Sequence, residues 1–268
     1  MTDRYDRQSF LGARAQEAIA TARVGIVGLG GGGSHLVQQL AHLGFSHYVL
    51  YDPDQVEESN LNRLVGATQT DALEHRPKLA VAERVLRALL PEVEIDAFAV
   101  RWQDHPLPLR SCDVIVGGLD SLLDRSELEV CARRFLVPYI DIGLGVRRIA
   151  PEPPRMSGQI VLSMPGYPCF RCIGFLNEED LAAEARLYGD AGPRPQVVWA
   201  NGLLASIATG LVVDLVTDWT ESLRAPVYLT YDANSGVVLP HPRLRYAVNR
   251  ACVHFPDDDI GEPTFTPL

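Results

Sequence analysis

The chain has 268 residues, of which 47% are hydrophobic and 22% charged, so it can bury a full core as one large domain. Its formal net charge of −10 and the lack of any Lys/Arg-rich run argue against a nucleic-acid surface, because neutralising phosphates requires clustered positive charge. No signal-peptide-like segment begins the chain, and the late run "GLLASIATGLVVDLV" is too short and polar to span a bilayer, so we expect a cytoplasmic protein without a membrane partner.

The first half of the chain alternates predicted helices and strands. Its strands are rich in Val and Ile with little polar alternation, which indicates a parallel sheet covered on both faces. The predicted elements are, in order, a helix at 9–22, the strand "RVGIVG", a helix at 31–43, a strand at 47–52, a helix at 77–90, strands at 93–100 and 112–117, a helix at 121–135 and a strand at 137–142.

The regular alternation stops near Gly145. A further strand, a hairpin and a long apolar helix then predict an antiparallel extension, so the fold class is α/β with a doubly wound, Rossmann-like, mostly parallel sheet and a C-terminal antiparallel extension. The later elements are a proline-rich crossing "RRIAPEPPR", the strand "SGQIVLSM", the knuckle "PGYPCFRC", a polar helical stretch at 177–192, a helix at 198–219 and the hairpin "VYLTYDANSGVVLP".

A glycine turn follows the first strand and opens the next helix. It contains Gly28 and four consecutive glycines, Gly30 to Gly33, which give the close backbone approach and the helix N-terminus that a phosphate group needs. Asp52 ends the second strand about 20 residues further on, where a carboxylate binds ribose hydroxyls. These features fit NAD and ATP equally well.

The segment "DPDQVEESNLNR" and the residues after it favour ATP. A reaction at phosphorus needs cations against the charge that develops on the phosphate oxygens, and Arg63 and Lys78 supply them. Asn60 can hydrogen-bond phosphate or ribose, and Asp120 stands at a strand end where a carboxylate can hold Mg²⁺. Each residue alone also has a plain structural reading; Asp120, for example, suits the N-cap of the helix at 121–135.

The motifs together resemble the ThiF/MoeB/HesA family, the adenylating domain shared with ubiquitin-activating enzymes, over roughly residues 4 to 255. The resemblance implies that ATP and Mg²⁺ are used to convert the C-terminal carboxylate of a ubiquitin-like or sulfur-carrier protein into an acyl-adenylate, releasing pyrophosphate. The matching motifs are "RYDRQ" (4–8), "GLGGGG" (28–33), "DPDQVEESNLNR" (52–63), "PK" (77–78), "LDSLLDR" (119–125), "SGQI" (157–160) and "PCFRC" (168–172).

The resemblance also implies roles for individual residues and a homodimer, since family dimers insert an arginine, here Arg7, into the neighbouring protomer's site. It implies one domain over 1–268, with a helical arm at 1–22, a nucleotide-binding half at 23–145 and a substrate-tail-binding and crossover half at 146–268. The implied site residues are Gly28, Gly30, Gly31 and Gly33 in the nucleotide loop, Asp52 on ribose, Asn60, Arg63 and Lys78 on phosphates, and Asp120 on Mg²⁺.

The cysteines depart from the family pattern. Many relatives hold zinc with two CxxC pairs, whereas Cys169 and Cys172 form one pair here and the C-terminal "NRACVHF" offers Cys252, with Phe255 where its partner would fall. His254 is a candidate for the fourth zinc ligand but stands only two residues from Cys252, a cramped spacing. We therefore expect a vestigial knuckle with buried thiols and leave zinc binding open.

No cysteine lies between Cys172 and Cys252, the interval in which thioester-forming relatives carry their nucleophile. Three routes remain: transfer to a sulfur donor such as a sulfurtransferase, transfer to a separate conjugating protein, or an oxyester on Ser206 or Thr209. The oxyester is the weakest route, because residues 176–217 contain no His or Lys to activate a hydroxyl.

The sequence therefore predicts an adenylyltransferase that homodimerises, without a thioester of its own. Two other classes stay open: a catalytically silent scaffold resembling the inactive half of heterodimeric activating enzymes, and an NAD-dependent oxidoreductase. Trp199 and Asn201 in "RPQVVWANG" are candidates for the channel that receives the substrate's tail, with a core position as the plain alternative for Trp199. Asp141, at a strand end, has capping as its plain alternative.

Overall fold

A computed structural model describes residues 4–148, 151–179, 181–182, 195–217, 219–220, 226–247 and 252–255. The described strands are β1 (Arg23–Val27), β2 (His47–Tyr51), β3 (Glu94–Phe98), β4 (Val114–Gly117), β5 (Tyr139–Arg147), β6 (Arg155–Ser163), β7 (Val227–Asp232) and β8 (Val237–Pro240). The described α-helices are α1 (Ala15–Thr21), α2 (Gly31–Leu43), α3 (Gln69–Leu73), α4 (Lys78–Leu89), α5 (Leu122–Arg134), α6 (Val198–Thr217) and α7 (Leu244–Ala247).

The described strands form one sheet in the order β3-β2-β1-β4-β5-β6-β7-β8. Neighbours from β3 to β5 are parallel, and neighbours from β5 to β8 are antiparallel. The strand order reverses between β1 and β4, and ligands bind at such a switch point, outside the carboxyl ends of the strands. The predicted doubly wound sheet with an antiparallel C-terminal extension is confirmed.

Helices cover both faces of the sheet. Side chains of α2, α4 and α6 pack on one face together with Val116 of β4, while α5 and the cysteine knuckle pack on the other face together with Ile115. Adjacent residues of β4 thus enter different hydrophobic clusters because successive side chains of a strand point to opposite faces. Burial on both faces explains why these strands read as continuous apolar runs.

The structure differs from the predicted elements in several places. The helix predicted at 9–22 is a 3₁₀ helix, Asp6–Leu11, followed by α1, because Gly12 adopts a φ of +117° between them. The short helix α3 was not predicted, and β3 is more exposed than its neighbours because it lies at the sheet edge. Most of the polar helical stretch predicted at 177–192 lies outside the described residues.

The apolar run near the C-terminus lies within α6, which matches the helix predicted at 198–219 but is longer and more apolar than the run judged too short and polar to span a bilayer. Helix α6 has 20 residues and is long and apolar enough, by length and composition alone, to cross a membrane. Just over half of its most apolar window is nevertheless buried, and its residues join the main hydrophobic cluster with α2 and β5. We interpret α6 as a core helix of this fold, since such helices pass the same composition test.

Candidate functional site

The turn between β1 and α2 is closed by contacts that only glycine permits. Gly28 has a φ of +90°, and a Cβ there would lie 2.7 Å from the carbonyl oxygen of Gly118. A Cβ on Gly33 would fall on the carbonyl carbon and oxygen of Gly28, far inside van der Waals contact. Gly30, by contrast, faces open space. The turn therefore presents bare backbone and the N-terminus of α2, which favours anions.

Asp52 fixes this turn from the end of β2. Its Oδ2 accepts a hydrogen bond of 2.6 Å from the Leu29 N–H, and its Oδ1 accepts one of 2.8 Å from the Asp54 N–H. Burial raises the pKa of Asp52 above its usual value, while Lys78 and the two N–H donors act in the opposite direction. Asp52 is 4% exposed yet lines the cavity described below, so its carboxylate can reach that space while it keeps its backbone contacts.

Two cations approach the turn from the segment between β2 and α4. Lys78 is the first residue of α4, and its Nζ lies 2.7 Å from the Asp54 carboxylate, with 12% of the side chain exposed. The Arg63 guanidinium donates to the Ser59 carbonyl at 2.6 Å and to the Asn62 side chain at 3.0 Å. Among the described residues no carboxylate pairs with Arg63, so its positive charge is available to an anion.

Asp120 follows β4 on the opposite side of the switch point. The Gln196 side chain donates to its Oδ1 at 3.4 Å, and the Gln196 carbonyl accepts from the Asn62 side chain at 3.2 Å. Gln196 lies shortly before α6, so its hydrogen bonds connect the start of α6 to the segments that carry Arg63 and Asp120. The N-cap of α5 is Ser121, whose side chain accepts from the Asp124 N–H. The capping alternative for Asp120 is therefore not what the structure shows.

One cavity of about 410 Å³ brings most of the predicted site residues together, a volume in the usual range for small-molecule sites. Arg101 and Gln103 on one side, and Arg125, Gln196 and Asn201 on the other, also line it. The predicted residues that line the cavity are Gly28, Gly30, Gly31, Asp52, Arg63, Lys78 and Asp120.

Three predicted residues lie outside this cavity. Gly33 stands behind the turn, where it closes the contact with Gly28. Asn60 is 7% exposed, and its side-chain oxygen accepts from the Glu57 N–H at 3.1 Å, so the amide caps a short 3₁₀ turn instead of facing the cavity. Arg7 is exposed on the N-terminal 3₁₀ helix and does not reach the cavity of its own chain.

A buried ion pair that the sequence did not indicate lies beside the cavity. It includes Asp141, which lies inside β5 and bonds to side chains, so the strand-end position and the capping alternative predicted for it are wrong. Arg125 of α5 pairs with Asp141 of β5 and also donates to the Leu119 carbonyl, next to Asp120, while the Tyr139 hydroxyl donates to Asp141 at 2.9 Å. Burial raises the pKa of Asp141, and Arg125 opposes that shift. Arg125 lies within the quoted motif "LDSLLDR", but its partner is 16 residues away, so only the fold reveals the pair.

Asn201 and Trp199 have different surroundings in the structure. Asn201 is 5% exposed, lines the cavity and lies against Gly31 of the turn. Trp199 is 61% exposed and does not line the cavity, so the core position considered for it is wrong, while its contact with the substrate's tail stays a prediction. Ser206 and Thr209 line a separate groove, so they lie away from the cavity.

The knuckle cysteines meet the C-terminal segment in a cluster of four donors. The Cys169 and Cys172 sulfurs are 3.6 Å apart, and Cys252 lies 3.8 Å from Cys172. The Nδ1 atom of His254 lies 3.4 Å and 3.3 Å from the first two sulfurs. Val253, between the last two donors, is 82% exposed, and the bend lets both of its neighbours face the knuckle cysteines. The objection that His254 would be cramped is therefore wrong.

These distances fit tetrahedral zinc. With zinc–sulfur bonds of about 2.3 Å and a zinc–nitrogen bond of about 2.0 Å, the tetrahedron has sulfur–sulfur edges of about 3.8 Å and sulfur–nitrogen edges of about 3.5 Å. All four donor atoms lie within 4.8 Å of one another. The donor set thus fits a closed Cys₃His site of the structural type.

Comparison with known proteins shows which family has this architecture. Residues 5–253 match the ThiF family. The chain belongs to the ThiF family. It is 30% identical to the sulfur carrier protein ThiS adenylyltransferase of Escherichia coli over 76% of this chain and 78% of that protein. It is 32% identical to the E. coli molybdopterin-synthase adenylyltransferase over 66% of this chain and 70% of that protein.

A third relative is matched over a smaller part of its length. The sulfur carrier protein adenylyltransferase of Thermus thermophilus is 33% identical over 64% of this chain, and the match spans 63% of that protein. Among solved structures, E. coli MccB with ATP has a TM-score of 0.72 at 22% identity, covering 90% of this ThiF-family chain and 71% of MccB. At that identity the similarity concerns the fold.

Replacing two glycines of the turn by alanine should have different effects, one on thermal stability and the other on ATP binding. Gly33→Ala should lower the midpoint of thermal unfolding by several degrees, because its Cβ collides with backbone that has no room to move. Gly30→Ala should leave the midpoint within about one degree and weaken ATP binding at least about tenfold, because its Cβ enters the open space before α2. Calorimetry of both variants checks this; equal effects of the two changes would contradict the assignment.

Proposed function

We propose that this chain adenylates the C-terminal carboxylate of a ubiquitin-like or sulfur-carrier protein, using ATP and releasing pyrophosphate. The observation that carries the proposal is the single cavity in which the glycine turn, a ribose-type carboxylate, two cations and a strand-end aspartate converge. The names of the relatives as sulfur carrier protein and molybdopterin-synthase adenylyltransferases support it. One sheet passes through both halves of the chain, which supports our assignment of the activity to one domain over 1–268.

The arrangement suits a reaction between two anions. The glycine turn and the N-terminus of α2 receive phosphate oxygens through backbone N–H groups, and Asp52 receives ribose hydroxyls. Arg63 and Lys78 offset the repulsion between the nucleotide and the incoming carboxylate. For Lys78 this requires leaving the Asp54 carboxylate, 2.7 Å away. The substrate carboxylate attacks the α-phosphorus itself, so the chain needs no nucleophile for this step.

Asp120 is the residue that we assign to Mg²⁺. It is an exposed carboxylate on the loop after β4, on the cavity wall across the switch point from Lys78, and oxygen donors of this kind suit the ion. The ion supplies neutralisation of phosphate charge when it is bound. Arg125 holds the Leu119 carbonyl, so the loop that carries Asp120 is anchored to β5.

The partners follow from the same proposal. The substrate is a small carrier protein with an extended C-terminal tail, and Asn201 and Gln196 lie where that tail meets the cavity. The second protomer of a homodimer supplies Arg7, which lies exposed on the N-terminal 3₁₀ helix.

The sequence has no cysteine between Cys172 and Cys252, so the adenylate passes to a sulfurtransferase or a conjugating protein and no thioester forms on that segment. The cysteines of this chain are free, which supports a cytoplasmic location.

The Cys₃His cluster holds a structural zinc ion in this proposal. Its support is the agreement between the measured donor distances and the edges of a zinc tetrahedron. Such an ion ties the knuckle to the C-terminal segment, at a distance from the nucleotide cavity, since none of its four donors lines that cavity.

Pyrophosphate exchange tests the activity. With Mg-ATP and candidate carrier proteins ending in Gly, exchange of labelled pyrophosphate into ATP should depend on one carrier and fall about 100-fold or more in Asp120→Ala, because metal placement is lost. Asp113→Ala is the matched control, since Asp113 accepts a hydrogen bond from Arg23 at the opposite end of β4. ATP binding without exchange for any carrier would favour the scaffold, and NADH binding without exchange would favour the oxidoreductase.

Mixed dimers test whether Arg7 acts across the interface. Arg7→Ala and Arg63→Ala should each be inactive alone, whereas mixing the two should restore about a quarter of wild-type exchange, because half of the dimers are mixed and each carries one complete site. A mixture of Arg63→Ala with Lys78→Ala should restore nothing, since each chain then spoils its own cavity. Equal recovery in both mixtures would rule out the cross-protomer arginine.

Metal analysis tests the zinc site. The purified chain should contain about one zinc ion per chain, and a strong chelator should lower its midpoint of thermal unfolding. His254→Ala should reduce the zinc content and the midpoint, whereas His42→Ala, on α2 away from the cluster, should preserve the zinc content. A wild-type chain with no zinc and no response to chelator would mean that the thiols form the vestigial knuckle that the sequence analysis expected.

A further inference from the structure

The segments that follow three adjacent strands line neighbouring parts of the cavity, in the order in which the phosphates, ribose and base of a nucleotide would occupy it. Strands β1, β2 and β3 are parallel neighbours. The glycine turn follows β1, Asp52 follows β2, and the segment from Val100 to Gln103 lies shortly after β3; all three line the same cavity. If phosphates occupy the turn and ribose meets Asp52, as the proposed function requires, the base lies beside the segment after β3.

Gln103 is the uncharged polar side chain of that segment, and two carboxylates of α5 determine how its amide is turned. Its Nε2 donates to Asp124 at 2.7 Å and to Glu127 at 2.9 Å. An ionised carboxylate only accepts hydrogen bonds, so the nitrogen end of the amide must face α5. Arg101 also donates to Asp124, at 3.1 Å, and helps to keep that carboxylate in place.

The other end of the amide is therefore an acceptor. The Gln103 Oε1 atom has no hydrogen-bond partner among the described residues, while the residue lines the cavity. Adenine has one donor group on its ring system, the 6-amino group, and a 6-oxopurine carries an acceptor at that position. An amide held in the opposite orientation would present its donor to the base and reverse this preference.

We infer that Gln103 determines the base specificity of this enzyme by accepting a hydrogen bond from the 6-amino group of adenine, and that Asp124 and Glu127 are positioning residues for it. Gln103 lies 21 and 24 residues from the two carboxylates in the sequence, and the three side chains meet only because α5 packs beside the 3₁₀ helix Trp102–Asp104. The inference rests on the proposed use of ATP but not on the identity of the carrier protein.

Equilibrium binding of nucleotides to the full chain tests the inference without any carrier. ATP, purine riboside triphosphate, which lacks the 6-amino group, and inosine triphosphate are titrated in the presence of Mg²⁺. The wild-type chain should bind ATP about tenfold more tightly than purine riboside triphosphate, the effect of one hydrogen bond in a cavity, and inosine triphosphate more weakly still.

Two variants assign the effect to residues. Gln103→Leu should bind ATP and purine riboside triphosphate equally, with affinity for the latter unchanged. The double variant Asp124→Asn/Glu127→Gln should reduce the ATP preference to about threefold or less and gain affinity for inosine triphosphate, because an amide neighbour can donate to Oε1 and let the Gln103 amide reverse. Gln69→Leu is the matched control: Gln69 also donates to a carboxylate, Glu58 at 3.1 Å, but lies outside the cavity.

The possible failures are distinct. A wild-type chain that binds ATP and purine riboside triphosphate equally would overturn the inference while leaving adenylation intact. A preference lost in Gln103→Leu but kept in the double variant would overturn the role of the two carboxylates. A chain that binds none of the three nucleotides would overturn the proposed function itself.

Discussion

The contact between Gly28 and Gly33 is the constraint on which the site depends. A side chain on either residue would collide with backbone, so the turn after β1 closes only with glycine at both positions. The closed turn brings the Leu29 N–H to Asp52, and this hydrogen bond joins the ends of β1 and β2. The N-terminus of α2 is thereby held at the switch point of the sheet, where the proposed function places a nucleotide phosphate.

The charges around that turn are held before any ligand arrives. Lys78 rests on Asp54, and Arg125 rests on buried Asp141 while it holds the loop of Asp120. Gln103 is fixed by carboxylates of α5. The contacts of Arg125 and Gln103 restrict these long side chains to few rotamers, which lowers the entropy cost of binding a nucleotide in the proposed function, whereas Lys78 must first leave Asp54.

In the cysteine cluster, a histidine takes the place of the cysteine that is missing from the C-terminal pair. The family's second cysteine pair is incomplete here, and His254 provides the fourth donor from the position two residues beyond Cys252. A bend at exposed Val253 turns both of its neighbours towards the knuckle cysteines. The two-residue spacing suggested steric crowding between Cys252 and His254. That expectation failed because spacing along the chain carries no information about backbone direction within a bend.

The sequence by itself determined the fold class, and it indicated the glycine turn, Asp52, Arg63, Lys78 and Asp120, which the structure brings to one cavity, since strand periodicity and short-range motifs encode the turn and the residues at strand ends. It also indicated Asn60, whose amide instead caps its own turn. Only the tertiary structure decided that His254 joins the cysteines, that Arg125 pairs with Asp141, and that Asp124 and Glu127 orient Gln103. The physical reason is that each of these contacts joins side chains of separate elements, and their meeting depends on how the helices pack against the sheet.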